Sequence, residues 1–149
     1  MIRADVGVPP PTPDEVARAL APVLARAPVA AVWLYGSVAR GDARTSSDVD
    51  LAVLWADHAA SGLRRDRAGL EREAAAAINP FIVSVVDLGA APLLLAHRVI
   101  RDGALLSDAD ARRRGRFVAR VLERFAATRD VRAALDAATL QRLACVRPS

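Results

Sequence analysis

The chain has 149 residues, 53% of them hydrophobic, and all 21 of its basic residues are Arg. Without Lys it cannot be a P-loop ATPase, a Schiff-base enzyme or a protein kinase, because each needs a Lys amine on phosphate or carbonyl. A GC-rich coding sequence, which favours Arg and Ala, accounts for the absence; the chemical exclusion holds whatever its cause. The single Cys145 excludes internal disulfides and Cys-rich zinc sites, as expected of a cytoplasmic protein.

Leu, Ile, Val and Phe make 41 residues, enough for one modest core and one domain. No apolar run approaches the roughly 18 residues of a membrane span. Net charge is +4, unevenly spread: from Arg112 onward ten Arg face three acids, and the chain before Arg112 is net acidic. A basic carboxyl-terminal segment suits an acidic partner, protein or RNA, and equally a solvated helical face.

Residues 1–12, with Pro9, Pro10 and Pro11, read as a flexible arm without a secretion signal. Thr12-Pro13-Asp14-Glu15 has the form of a capping box, and Val16, Leu20, Val23 and Leu24 follow at helical spacing. Pro22 is expected to kink or end this helix. Val29–Tyr35 reads as a buried strand running into Gly36-Ser37, and Asp48–Trp55 as a second strand that begins in acids. Leu63–Ile78 reads as a helix, Phe81–Leu88 as a third strand, Ala91–Arg101 as a helix, and Ala104–Leu106 as a short edge strand. Asp108–Ala127 and Val131–Leu143 are two more helices, with Leu122, Phe125, Leu135 and Leu143 expected in the core. The order predicts an α/β (α+β) domain on a small mixed sheet flanked by helices, with a core over 13–107 and a helical extension over 108–149.

The informative segment runs from Gly36 to Asp50. Gly36, after a strand, lets the backbone turn sharply and approach a ligand closely. Ser37 opens a short helix, where free N–H groups and its hydroxyl can hold phosphate oxygens. Asp48 and Asp50 are two apart on a strand, so both carboxylates leave the same face and form a hard, oxygen-only site suited to Mg²⁺. A phosphate cradle joined by one loop to paired carboxylates describes metal-dependent phosphoryl or nucleotidyl transfer. Arg40 and Arg44, in that loop, are candidates to neutralise a triphosphate, or surface groups pairing with Asp42.

Gly36-Ser37, ten residues and then Asp48-Val49-Asp50 is similar to the G-S-x10-D-x-D signature of the polymerase-β-like nucleotidyltransferase superfamily. The fuller run from Tyr35 to Leu51 resembles the minimal nucleotidyltransferases (MNT). The likeness continues through Asp87-Leu88, Ala91–Leu94 and Ile100–Gly103. The resemblance implies a polymerase-β-like fold in which Asp48 and Asp50 hold two Mg²⁺ and Gly36 and Ser37 grip the triphosphate of ATP. It also implies an antitoxin encoded beside a HEPN-type toxin, an RNase, that transfers AMP onto a toxin tyrosine. In that family a third carboxylate stands on the next strand. Aligning Val86-Asp87-Leu88 puts Ser84 at that position, so Asp87 joins the catalytic group only through a bulge in the strand. The remaining outcomes are a slow enzyme, or a chain that binds nucleotide without transferring it.

His97 reads as a packed or surface residue, and His58 is assigned no role. Neither follows an Arg at the spacing of the R-x4–6-H motif that HEPN RNases share, so the chain is not also the toxin. Trp33 and Trp55 read as strand core, with Trp55 the better placed of the two for base stacking. Tyr35 is expected to pack behind the phosphate turn. Three functions follow: a Mg²⁺- and ATP-dependent antitoxin nucleotidyltransferase, a degenerate antitoxin that acts by binding alone, and an aminoglycoside-type nucleotidyltransferase. The last is usually longer, with a second domain to hold its substrate.

Overall fold

The computed structural model describes residues 7–45, 47–57 and 66–145. The expectations for residues 1–6, for His58 and for a helix starting at Leu63 lie outside them. The elements follow in the order α1 (Pro13–Arg26), β1 (Val29–Tyr35), α2 (Gly36–Arg40), β2 (Val49–Trp55), α3 (Arg67–Ala77) and β3 (Val83–Asp87). After a 3₁₀ turn at Leu88–Ala90 come α4 (Leu93–Asp102), β4 (Ala104–Asp108), α5 (Ala111–Ala127) and α6 (Arg129–Ala144).

Thr12 caps α1: its Oγ1 accepts from the Glu15 N–H at 3.2 Å and its hydroxyl donates to Glu15 Oε1 at 3.2 Å. Pro22 does not end α1, which runs on to Arg26. The carbonyl deprived of its partner belongs to Arg18, and both residues lie on the exposed side of the helix. That carbonyl is open to solvent, so the lost N–H costs little there.

The four strands form one sheet in the order β3-β2-β1-β4. β1 is antiparallel to β2 and β4, whereas β2 and β3 are parallel. Period-two alternation divides the sheet into two faces. Val49, Leu51, Val53 and Trp55 of β2 pack with Val16, Leu20, Val23 and Leu24 of α1 and with Leu70 and Ala74 of α3. Ala52 and Leu54 point the other way, onto a core shared with Ala96 and Val99 of α4 and Val121 of α5. The result is a sheet between two helical layers, the mixed α/β domain expected.

The carboxyl-terminal helices correct one expectation. Leu122, Leu135 and Leu143 are 47%, 59% and 65% exposed, and Phe125 is only half-buried. Val121, with Phe117 and Val118, faces the core in their place. The inward face of α5 thus carries Phe117, Val118, Val121 and the half-buried Phe125, with Leu122 off it, and α6 buries none of its residues. Phe125 is instead clasped between helices, with His97 stacked 3.5 Å from its ring and the Arg132 guanidinium 3.6 Å away.

Candidate active site

The site forms where β1 ends, α2 begins and β2 starts. Tyr35 is the register partner of Asp50 across the β1–β2 pair. The next residue, Gly36, has φ +78°, and a Cβ placed on it would collide with Asp50 Oδ2. Only glycine lets the main chain turn into α2 this close to the carboxylate. No side chain caps α2 at its start, and the Ser37 hydroxyl engages no partner among the described residues. Its last turn closes on Gly41, φ +78°, whose N–H donates to the carbonyls of Ser37 and Val38. Farther along, Arg44 N–H donates to Ser47 Oγ at 2.8 Å and Ser47 N–H to the Arg44 carbonyl at 2.9 Å. This turn delivers the chain to Asp48.

Asp48 is exposed and Asp50 half-buried, two residues apart and on the sheet face that carries Ala52 and Leu54. Burial raises the pKa of Asp50 above the usual carboxylate range, the Asp48 charge raises it further, and the Arg40 charge opposes both. Burial, then the Asp50 charge, also raises the pKa of the Tyr35 phenol. Two carboxylates that repel one another beside a tight backbone turn suit a hard divalent cation, which would remove the repulsion. Among the described residues no group of three or more His, Cys, Asp or Glu forms a metal cluster. A cation there would find two carboxylates on the protein, and other oxygens would have to complete its coordination shell.

The register of β3 decides the third position. Ser84 pairs with Asp50 across the parallel β2–β3 ladder, so Ser84, Asp50 and Tyr35 form one row across three strands. Asp87 pairs with Val53, three residues farther on, and the ladder between them is unbroken. The bulge that would bring Asp87 to the site is not there. Its Oδ1 instead accepts from the Gly89 N–H at 3.0 Å, capping the 3₁₀ turn. The structure thus brings Gly36, Ser37, Asp48 and Asp50 together and leaves Asp87 apart.

Arg40 acts on Asp50 electrostatically while pairing with Asp42 at 3.3 Å; both partners are more than half exposed, so the pair adds little stability. The Arg44 side chain makes no hydrogen bond or ion pair among the described residues. Trp33 and Trp55 are core residues, 5% and 3% exposed.

Two supporting residues escape a sequence reading. β3 is an edge strand, and the outward main chain of Val85 is satisfied by α3: Glu71 Oε2 accepts from its N–H at 3.0 Å and Arg67 donates to its carbonyl at 3.2 Å. These bonds cover the edge and fix the strand that carries Ser84. The only sequence signal was an Arg and a Glu four apart on the preceding helix.

Residues 19–112 match the family described as polymerase beta, nucleotidyltransferase. No curated protein matches the chain in sequence. Among solved structures, a chain from a toxin–antitoxin crystal structure with AMP-PNP is 24% identical at a TM-score of 0.66, covering 83% of this chain and 98% of that one. A chain of the MntA–HepT toxin–antitoxin is 22% identical at a TM-score of 0.61, covering 84% and 97%. A chain from tri-AMPylated Shewanella oneidensis HEPN toxin in complex with MNT antitoxin is also 22% identical at 0.61, covering 84% and 96%. At these identities the likeness shows a shared fold. The family match takes in well over half the chain, including the Gly36 turn and both site carboxylates, and the chain belongs to the polymerase-β nucleotidyltransferase family.

Proposed function

We propose that this chain is an MNT-type antitoxin that transfers AMP from ATP to a hydroxyl of a HEPN-type toxin partner. The observation that carries this reading is the close approach of the Gly36 main chain to the Asp50 carboxylate, with Asp48 on the same face. The structural likeness to chains from toxin–antitoxin complexes, one with AMP-PNP and one with an AMPylated HEPN toxin, supports nucleotide and partner. Residues 13–107 are read as the catalytic core and 108–149 as its helical extension. No helix among the described residues is long and apolar enough to cross a membrane, and we place the protein in the cytoplasm with its partner.

In this reading Asp48 and Asp50 would hold Mg²⁺, which neutralises the triphosphate and the departing pyrophosphate. The open first turn of α2 and the Ser37 hydroxyl grip phosphate oxygens, with Arg40 and Arg44 adding positive charge from the loop. An acceptor hydroxyl attacks the α-phosphorus in line, and pyrophosphate leaves. The resemblance implies two Mg²⁺ ions. Ser84, beside Asp50, offers only a hydroxyl to the second ion and no base to the acceptor, so transfer is slower than with three carboxylates. Asp87, held by Gly89, is assigned to structure rather than catalysis.

The test is incubation with labelled ATP, Mg²⁺ and the product of the neighbouring gene. Label on a partner tyrosine, abolished by Asp48→Asn with Asp50→Asn, is expected; an unlabelled partner overturns the reading. Ser84 favours one alternative, an antitoxin that neutralises by binding alone. Under it the double variant protects cells from the toxin as well as wild type, and truncation after Asp108 does not.

A further inference from the structure

A cleft of about 270 Å³ opens at the other end of β2, between Leu54 and Trp55, the 3₁₀ turn at Gly89 and Ala90, and α5. Five residue steps along the strand separate Trp55 from Asp50, or about 16 Å. Arg113, Arg116, Phe117 and Arg120 line it from one face of α5, at the i, i+3, i+4, i+7 spacing of neighbouring helical turns.

The three guanidinium groups are not equivalent. Arg113 is pinned: its Nε donates to the Trp55 carbonyl at 2.7 Å, its Nη1 lies 3.3 Å from Asp57 Oδ2, and its side chain is 22% exposed. Arg116 only reaches the same carboxylate at 4.0 Å and is 59% exposed. Arg120 has no ion pair or hydrogen bond among the described residues. Two under-neutralised guanidinium groups on successive turns thus border a concave space, braced by a third that is held by Trp55 and Asp57. Asp87 stands on the facing wall with Oδ1 committed to Gly89 and Oδ2 without a partner among the described residues.

This lining is selective. A pair of Arg forks recognises phosphate oxygens. Phe117 supplies apolar surface for a flat ring, and Asp87 Oδ2 accepts from a hydroxyl or an exocyclic amine. A volume near the lower limit of small-ligand sites, roughly 300 Å³, admits one nucleotide. Single-stranded nucleic acid needs a longer groove with successive aromatic platforms, whereas this cleft has one ring at its wall. We propose that the cleft binds a nucleoside monophosphate, with its phosphate on Arg116 and Arg120, its base against Phe117 and a hydroxyl or amine on Asp87. The site is independent of the transfer reaction assigned to Asp48 and Asp50 and does not require that reaction to occur.

Isothermal titration calorimetry on the full chain follows binding. AMP is titrated in EDTA, in parallel with inorganic phosphate and a short oligoribonucleotide. Saturable binding of AMP, tighter than that of phosphate, is expected. Arg116→Ala with Arg120→Ala should weaken it at least about tenfold, with an unchanged circular dichroism spectrum, because both side chains are at the surface. Asp48→Asn with Asp50→Asn should leave it unaltered. The proposal is overturned if AMP does not saturate at millimolar concentration, or if the double Arg variant binds like wild type. It is equally overturned if phosphate binds as well as AMP, or if only the oligoribonucleotide binds, with the steep salt dependence of an RNA-binding strip.

Discussion

The two ends of β2 carry opposite chemistry on one strand. At its start Asp48 and Asp50 face a main-chain turn that tolerates no Cβ, and burial and mutual repulsion raise the pKa of Asp50. At its end Trp55 offers its carbonyl to Arg113, and the surrounding charge is carried by long, mostly exposed side chains of one helix. The difference is one of tolerance. The acid end depends on backbone placed to a fraction of an ångström, so small changes there should abolish function. The Arg end depends on guanidinium groups at the tips of flexible stems, so single changes there should weaken binding in steps.

The largest expected effect comes from breaking the acid end. Gly36→Ala puts a methyl group against Asp50 Oδ2 at a positive φ, and initial-rate assays should show transfer reduced about 100-fold. Arg113→Ala breaks the other end, removing a charged hydrogen bond to the Trp55 carbonyl and the pair with Asp57. Chemical denaturation should register a loss of about 1–2 kcal/mol, with transfer nearly unchanged. Ser84→Asp sharpens the acid end: a carboxylate beside Asp50 should raise Mg²⁺-dependent transfer about tenfold and lower the melting temperature measured in EDTA.

Smaller still is the pH effect. The folded-state pKa of Asp50 is raised, so its contribution to stability is fully present below the unfolded value and lost as pH rises through the folded one. Asp50→Asn should therefore melt above wild type in EDTA at pH 7, and the gap should close on acidification. The smallest effect belongs to α6. Leu140 is 67% exposed, and Leu140→Ala should change the stability of the isolated chain by no more than about 0.5 kcal/mol. A larger change would show that α6 is packed in solution.

Local signals carried most of the fold. Thr12, Pro13 and Glu15 announce the start of α1, and the alternation of Val49, Leu51 and Val53 announces β2, because capping and sheet burial act within a few residues. The parity of Asp48 and Asp50 was legible for the same reason. Leu122, Leu135 and Leu143 misled, since helical periodicity says which residues share a face and not whether that face meets a core. The gap from Ser84 to Asp87 was readable as incompatible with one face. That Ser84 stands beside Asp50, and that Asp87 caps a turn, follow from the pairing of β3 with β2. The Arg spacing on α5 was visible as well, but its meaning depends on Trp55 and Asp87 arriving opposite it, which only tertiary packing decides.

The acid end of β2 is proposed to hold nucleoside triphosphate and metal together. Its most direct test is a crystal structure with Mn²⁺ and a non-hydrolysable ATP analogue, in which anomalous scattering locates the metal. Mn²⁺ is expected on the carboxylates of Asp48 and Asp50, with the triphosphate along Gly36 and Ser37. Metal and triphosphate away from both carboxylates, or a triphosphate held by Arg116 and Arg120 with Asp48 and Asp50 bare, would contradict it.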